Sequence, residues 1–216
     1  LTSDNVWELR EQPGRLLVLG AGPIGCELAQ AFAGLGSEVT LLTRAARVLP
    51  REDEDVSAHV CEVFERHGIR VLTRREPLAF EVRGAGGACR YRTDGAEEEV
   101  EFDRVLLAVG RMANVEGMGL EALGIGLAPG GTIEVDDYLA SAMPTVYACG
   151  DVAGPYQFTH MASHQAWYAA VNALFGGLRR FRVDYSVVPW ATFTDPEVAR
   201  VGLNEHDALR RGVAFE

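Results

Sequence analysis

An α/β fold organised around a parallel sheet is predicted by three features of this 216-residue sequence. Mostly apolar runs at 15–19 (RLLVL), 38–42 (EVTLL) and 104–109 (RVLLAV) suit strands buried on both faces. The first run breaks at Gly20-Ala21-Gly22-Pro23-Ile24-Gly25 and passes directly into a helical periodicity. Three brief alternating segments, near 78–83, 88–93 and 98–102, are separated by Gly-rich or Asp-Gly turns, as in an antiparallel meander. Together these describe a Rossmann-like domain with a parallel sheet and a three-stranded meander.

The individual elements follow in order. After the glycines, Ile24, Leu28, Ala31, Phe32 and Leu35 recur near i, i+4, i+7 and i+8, which predicts a helix over 24–35. Gly36 stops it. The strand at 38–42 then completes a βαβ unit of about 30 residues. A second amphipathic helix is expected over 53–67, with Asp53 and Glu54 in the first turn where the helix dipole favours negative charge. A short strand at 69–72 precedes the meander. Beyond Gly110 the texture becomes Gly-, Met- and Asn-rich through 111–131, as in a linker wrapped around short structure. Short strands are expected at 133–135 and 145–148, a long helix over 161–174, and a strand-like segment at 191–194. The last residues show no obvious closing element.

Bulk properties narrow the function classes. Hydrophobic residues make up 48% of the chain and charged ones 24%, enough for an ordinary core. No run reaches the ~20 apolar residues of a membrane span. The net charge of −11, from 20 basic against 31 acidic residues, disfavours nonspecific nucleic-acid or anionic-membrane binding, which need clustered positive charge. The basic side chains are arginines, several of them between Arg44 and Arg51, so a local anion site remains open. Cys26, Cys61, Cys89 and Cys149 are spaced for neither a disulfide framework nor a zinc site. They suit small buried side chains in a reducing, cytoplasmic setting. No metal site is expected.

The glycine turn carries the clearest chemistry. Gly20 lets the chain leave the strand tightly, Gly22 lets the backbone approach a diphosphate, and Gly25 lets the helix pack close. A diphosphate is then expected on the helix N-terminus, over Pro23 and Ile24. The end of the second strand selects the nucleotide. An acidic residue about 20 positions on would bind the ribose hydroxyls of NAD, but this chain has Thr43 followed by Arg44. A guanidinium there suits a 2′-phosphate, which favours NADP over NAD. Glu27 reads equally as a charge placed near a helix N-terminus and as a group near the nicotinamide. Gly150-Asp151, closing the apolar 145–149 run, reads as a carboxylate at a sheet edge for ligand hydroxyls or as an ordinary turn pair.

The ordered segments GAGPIGCELAQAFAGLGSEVTLLTR, RVLLAVGRMANVEGMGLEALGI, TVYACGDV, THMASHQA and VPWATFTDPEVARVGL are similar to those of the flavoprotein pyridine nucleotide–disulfide oxidoreductases. That family includes glutathione reductase, dihydrolipoamide dehydrogenase and mercuric reductase, and the resemblance spans nearly the whole chain. It implies an NAD(P)-binding domain over 1–112, the C-terminal part of an FAD-binding domain over 113–186, and the start of an α+β dimerisation domain over 187–216. It implies diphosphate contacts at Gly20, Gly22 and Gly25, ribose contacts at Thr43 and Arg44, and a place near the nicotinamide for Glu27. Gly110 and Arg111 would close over the dinucleotide, Gly150 and Asp151 would meet the flavin's sugar-phosphate chain, and Met161 and Ala162 would flank its ring. Ala45 departs from some NADP-dependent members.

Neither the family's first GxGxxG with its CxxxxC redox pair nor its late His-Glu pair occurs in this sequence. His160 and His164 belong to the flavin-side helix and are not that catalytic histidine. The chain is therefore expected to be an internal piece, with no catalytic residue of its own and inactive alone, of a homodimeric enzyme passing hydride from NAD(P)H to FAD and on to a disulfide or other acceptor. An NADH oxidase-like flavoprotein without a redox disulfide and a non-catalytic nucleotide-binding module are the alternative readings.

Overall fold

The computed structural model describes residues 1–93 and 95–215, so Asp94 of the expected Asp-Gly turn lies outside the described residues. The chain divides into two compact units. One comprises Leu1–Gly110 together with the chain from Pro189 onward, and the other comprises Arg111–Val188.

In the first unit, β1 (Arg15–Leu19), β2 (Glu38–Leu42), β3 (Arg70–Leu72) and β7 (Arg104–Leu107) form a parallel sheet in the order β3-β2-β1-β7. Leu17 of β1 lies opposite both Thr40 and Val105. Because side chains alternate along a strand, the unbroken RLLVL run feeds two cores. Leu16 and Val18 face α1 (Pro23–Gly34) and α2 (Glu54–Arg66), joining Cys26, Ala29, Val60 and Phe64. Leu17 and Leu19 face the other way and meet Cys89, Tyr91 and Val100. The latter belong to the antiparallel meander of β4 (Glu76–Arg83), β5 (Gly86–Arg92) and β6 (Glu97–Phe102). Each fully buried Leu or Val adds about 1.5–3 kcal/mol, so these two interlocked faces fix the sheet that carries the glycine turn. The solvent side of the meander is a ladder of exposed pairs such as Arg83–Glu99 and Arg92–Glu76.

The chain from Pro189 onward rejoins this unit as a hairpin, β8 (Pro189–Thr192) and β9 (Val198–Val201), followed by α4 (Glu205–Arg211). This closing helix departs from the expectation that the chain ends without one. Asn204 caps it, its side chain accepting from the Asp207 N–H, and Gly212 ends it in the left-handed conformation.

In the second unit, α3 (Thr159–Phe175) is longer than the expected 161–174. The strands expected at 133–135 and 145–148 reduce to single bridges, Leu127 with Ile133 and Ala140 with Tyr147. Their backbone groups find scattered partners instead: the Ile133 N–H donates to Val152 O, the Ala148 N–H to Leu139 O and the Val146 N–H to Met143 O. Buried Asn172 ties α3 to this region, donating to Tyr138 O and Phe181 O and accepting from the Phe181 N–H.

Candidate functional site

The glycine turn sits at the C-terminal end of β1. Gly20 has φ +101, and a Cβ there would lie 2.3 Å from the carbonyl oxygen of Ala108. A Cβ on Gly25 would lie 2.0 Å from the carbonyl oxygen of Gly20, so only glycine lets α1 approach the turn this closely. Gly22 differs: a Cβ there would meet nothing within 4 Å. Its backbone borders open space at the start of α1, where Gly22 is the N-cap, no side chain caps the helix, and Pro23 occupies the first turn. Uncapped first-turn N–H groups and the positive end of the helix dipole make a cradle for an anion. The residues present thus fit a diphosphate.

The neighbouring strand ends are linked to this turn. The Gly20 N–H donates to Leu42 O, and the Thr43 N–H donates to Leu72 O. Thr43 is buried and its Oγ1 accepts from the Ala45 N–H at 3.1 Å, whereas Arg44 is exposed. On α1, Glu27 Oε1 accepts from the Phe193 N–H at 2.9 Å. One turn along, Gln30 accepts from the Asp195 N–H and donates to the Asp195 carbonyl. Glu27 therefore has a structural partner that neither reading of the sequence supplies: it anchors the segment following β8. Gly110 takes φ +131 at the end of the unit.

In the second unit, Gly150, Asp151 and Val152 form a single 3-10 turn. Gly150 has φ +78, and a Cβ there would come within 3.3 Å of Ala162 Cβ, so the pair sets how closely the turn approaches α3. Met161 beside it is buried. Asp151 and Arg111 are brought together, at 3.6 Å, with both side chains nearly half exposed. The guanidinium also donates to Gln157 O. A cleft of about 510 Å³ opens beside Asp151, Gly154, Gln157 and Tyr185. His160 is exposed and stacks on Phe158, and His164 Nε2 lies 2.8 Å from the Asp184 carbonyl oxygen.

Sequence reasoning missed Gln165, which is fully buried beneath this turn. Its Oε1 accepts from the Gly150 N–H at 2.6 Å, and its Nε2 donates to Gly154 O and to the Tyr185 hydroxyl. One side chain thus satisfies both ends of the loop that bears Asp151. One glutamine in a helix that also carries His160, Ser163, His164 and Asn172 gives no warning of this.

The cysteines are all free; Cys26 and Cys89 are buried, Cys61 and Cys149 half-buried. Burial pushes the Cys26 thiol up to about 12 and the Cys89 thiol up to about 11. Both stay protonated at neutral pH. Among the described residues no group of three or more His, Cys, Asp or Glu is placed to hold a metal ion, and no helix is long and apolar enough to cross a membrane.

Residues 1–166 match the family described as pyridine nucleotide-disulphide oxidoreductase. A mercuric reductase of Staphylococcus aureus is 36% identical, over 98% of this chain and 38% of the relative. A dihydrolipoyl dehydrogenase of Chlamydia muridarum is 37% identical, over 99% of this chain and 44% of the relative. Among solved structures, the HOCl-induced flavoprotein disulfide reductase RclA of Escherichia coli superposes with a TM-score of 0.87 at 29% identity, over 100% of this chain and 48% of its own. The chain spans about half the length, or somewhat less, of the relatives it matches. It belongs to the pyridine nucleotide–disulfide oxidoreductase family.

Proposed function

We propose that this chain is the dinucleotide-binding portion of an FAD-dependent oxidoreductase that takes electrons from NADPH and delivers them to a disulfide or another acceptor. The observation that carries the reading is the glycine turn: Gly20 and Gly25 have no room for a Cβ, while Gly22 faces open space under an uncapped helix. That combination leaves free volume only where a diphosphate must approach. In domain terms, 1–112 binds the dinucleotide, 113–186 belongs to an FAD-binding domain, and 187–216 opens a dimerisation domain of a homodimer.

NADPH, when bound, would supply a hydride that FAD would accept. This chain's residues would hold each cofactor. Gly22, Pro23, Ile24 and Gly25 hold the diphosphate; Thr43 and Arg44 take the adenosine ribose and favour its 2′-phosphate, because no carboxylate follows β2 to repel it. Glu27, fixed by the Phe193 N–H, lies toward the nicotinamide end, and Gly110 and Arg111 close over the dinucleotide. Asp151, Gly150, Met161 and Ala162 serve the flavin, with Arg111 balancing the Asp151 charge.

Calorimetric titration of this chain with NADPH, NADH and FAD tests the reading. Saturable binding of NADPH, weaker binding of NADH and weak or no binding of FAD are expected. Tight FAD binding without nicotinamide binding would overturn it.

A further inference from the structure

The end of β3 carries two arginines outside every motif described above. Arg74 and Arg75 follow it after Thr73, and their backbones bond to the residues just past β2. The Arg74 N–H donates to Ala45 O and the Arg75 N–H to Thr43 O, each at 2.9 Å. A continuous series of backbone hydrogen bonds therefore runs along one sheet edge, from the Gly20 turn to Leu42, from Thr43 to Leu72, and back from Arg75 to Thr43. Adjacent strands lie about 4.8 Å apart. The ends of β2 and β3 thus follow the glycine turn one and two strand spacings away along the sheet.

These cations are uncompensated. In a chain of net charge −11, several exposed arginines of the meander have a carboxylate, as Arg83 has Glu99 and Arg92 has Glu76. Among the described residues, Arg44, Arg74 and Arg75 make no ion pair. The nearby acids are engaged elsewhere. Glu76 pairs with Arg92, Glu52 with Arg200, and Asp53 accepts from the backbone N–H groups of Glu205 and His206.

Two further features mark the pair. The Arg75 guanidinium is held at the strand end by donating to the Thr73 and Arg74 carbonyls, and its Nε has no hydrogen-bond partner. Arg74 has φ +53, a left-handed conformation that non-glycine residues seldom adopt and that concentrates at binding sites. Its N–H bond to Ala45 O holds that conformation and keeps residue 74 beside the Arg44 loop.

We propose that Arg74 and Arg75 complete, with Arg44, a three-arginine pocket for the 2′-phosphate of NADP(H). The proposal rests on the nicotinamide-dinucleotide reading above and adds two specificity-determining residues from a different strand end. Three guanidiniums around one dianion give charge-assisted bonds that an unphosphorylated ribose cannot make. Their effect falls on NADPH and spares NADH.

The test is fluorescence titration of this chain and of its Arg44→Ala, Arg74→Gly and Arg75→Ala variants with NADPH and with NADH. Glycine suits the left-handed backbone at residue 74, and NADH affinity reports the integrity of the glycine turn in every variant. Arg74→Gly and Arg75→Ala are each expected to weaken NADPH about tenfold, or about 1.4 kcal/mol, and to leave NADH within twofold, while Arg44→Ala, at a residue that also takes the ribose, is expected to abolish the preference for NADPH. If the parent chain prefers NADPH and only Arg44→Ala abolishes the preference, this proposal fails while the NADP reading stands. Loss at only one of residues 74 and 75 also overturns the three-arginine form, as does an equal loss of NADH affinity. If the parent chain shows no preference for NADPH, the underlying reading fails and takes this one with it.

Discussion

Replacing Gly22 with valine and Gly25 with alanine separates the two duties of the glycine turn. Gly22 has φ −77 and ψ −178, an extended conformation that valine adopts readily, and a Cβ there meets nothing within 4 Å. Gly22→Val is therefore expected to cost no more than about 1 kcal/mol, the weaker preference for valine at an N-cap. Its side chain fills the space in which the diphosphate must lie. At least a tenfold loss of NADPH affinity is expected, or about 1.4 kcal/mol. Gly25→Ala is the converse case. The new Cβ lies 2.0 Å from Gly20 O, a backbone atom with no freedom to rotate away. Helix α1 must move off β1 at an overpacking cost of about 1–3 kcal/mol. For a chain of this size that lowers Tm by roughly 2–4 °C per kcal/mol. Thermal unfolding followed by circular dichroism, with calorimetric titration of NADPH on the same samples, reads both effects. The reasoning is refuted if Gly22→Val binds NADPH as the parent does, or if it melts as early as Gly25→Ala.

Three further predictions concern residues around the sites. Gln165→Leu removes the acceptor for the buried Gly150 N–H and is expected to cost about 1–3 kcal/mol; a melting curve identical to the parent's would deny Gln165 its role under the Asp151 turn. Native thiol labelling at pH 8 should modify half-buried Cys61 and Cys149 before Cys26 and Cys89, whose thiols are raised by burial to about 12 and about 11; early labelling of Cys26 would contradict its burial. The backbone N–H and guanidinium of Arg15 hold the Asp103 carboxyl below its ordinary range. Its contribution is therefore complete above the unfolded value of about 3.9 and is lost as pH falls through the lower folded value. Asp103→Asn should be less stable than the parent at pH 7, and the gap should close in acid; a gap independent of pH between 2 and 7 would refute the assignment.

How much of this was legible beforehand depends on where the signal lies. The RLLVL run reads as a strand buried on both faces, and the structure divides it between two cores, Leu16 and Val18 against the helices and Leu17 and Leu19 against the meander. Its glycines were legible because a strand–turn–helix junction makes specific steric demands, which the Ala108 and Gly20 carbonyls impose here. The 145–148 run looks equally strand-like, yet it bridges only at Tyr147, because a strand is defined by its neighbours and local apolarity does not supply them. The short α4 carried a signal in Asn204, in Arg210 and Arg211 of its last turn, and in Gly212, but seven residues are too few for a hydrophobic period. Gln165, Arg74 and Arg75 were opaque for a different reason. Their roles depend on what the fold places next to them: the loop over Gln165, and the β2 end beside the arginines. Glu27 shows the same limit, since its partner Phe193 lies 166 residues along the chain.

The central claim is that the turn from Gly20 to Gly25 binds the diphosphate of a nicotinamide dinucleotide. A crystal structure of this chain soaked with NADPH tests it most directly. The account predicts diphosphate oxygens within hydrogen-bonding distance of the backbone N–H groups between Gly22 and Gly25, with the adenosine extending toward Arg44. Nucleotide bound elsewhere, with the face of Gly22 left open at saturating NADPH, would contradict it.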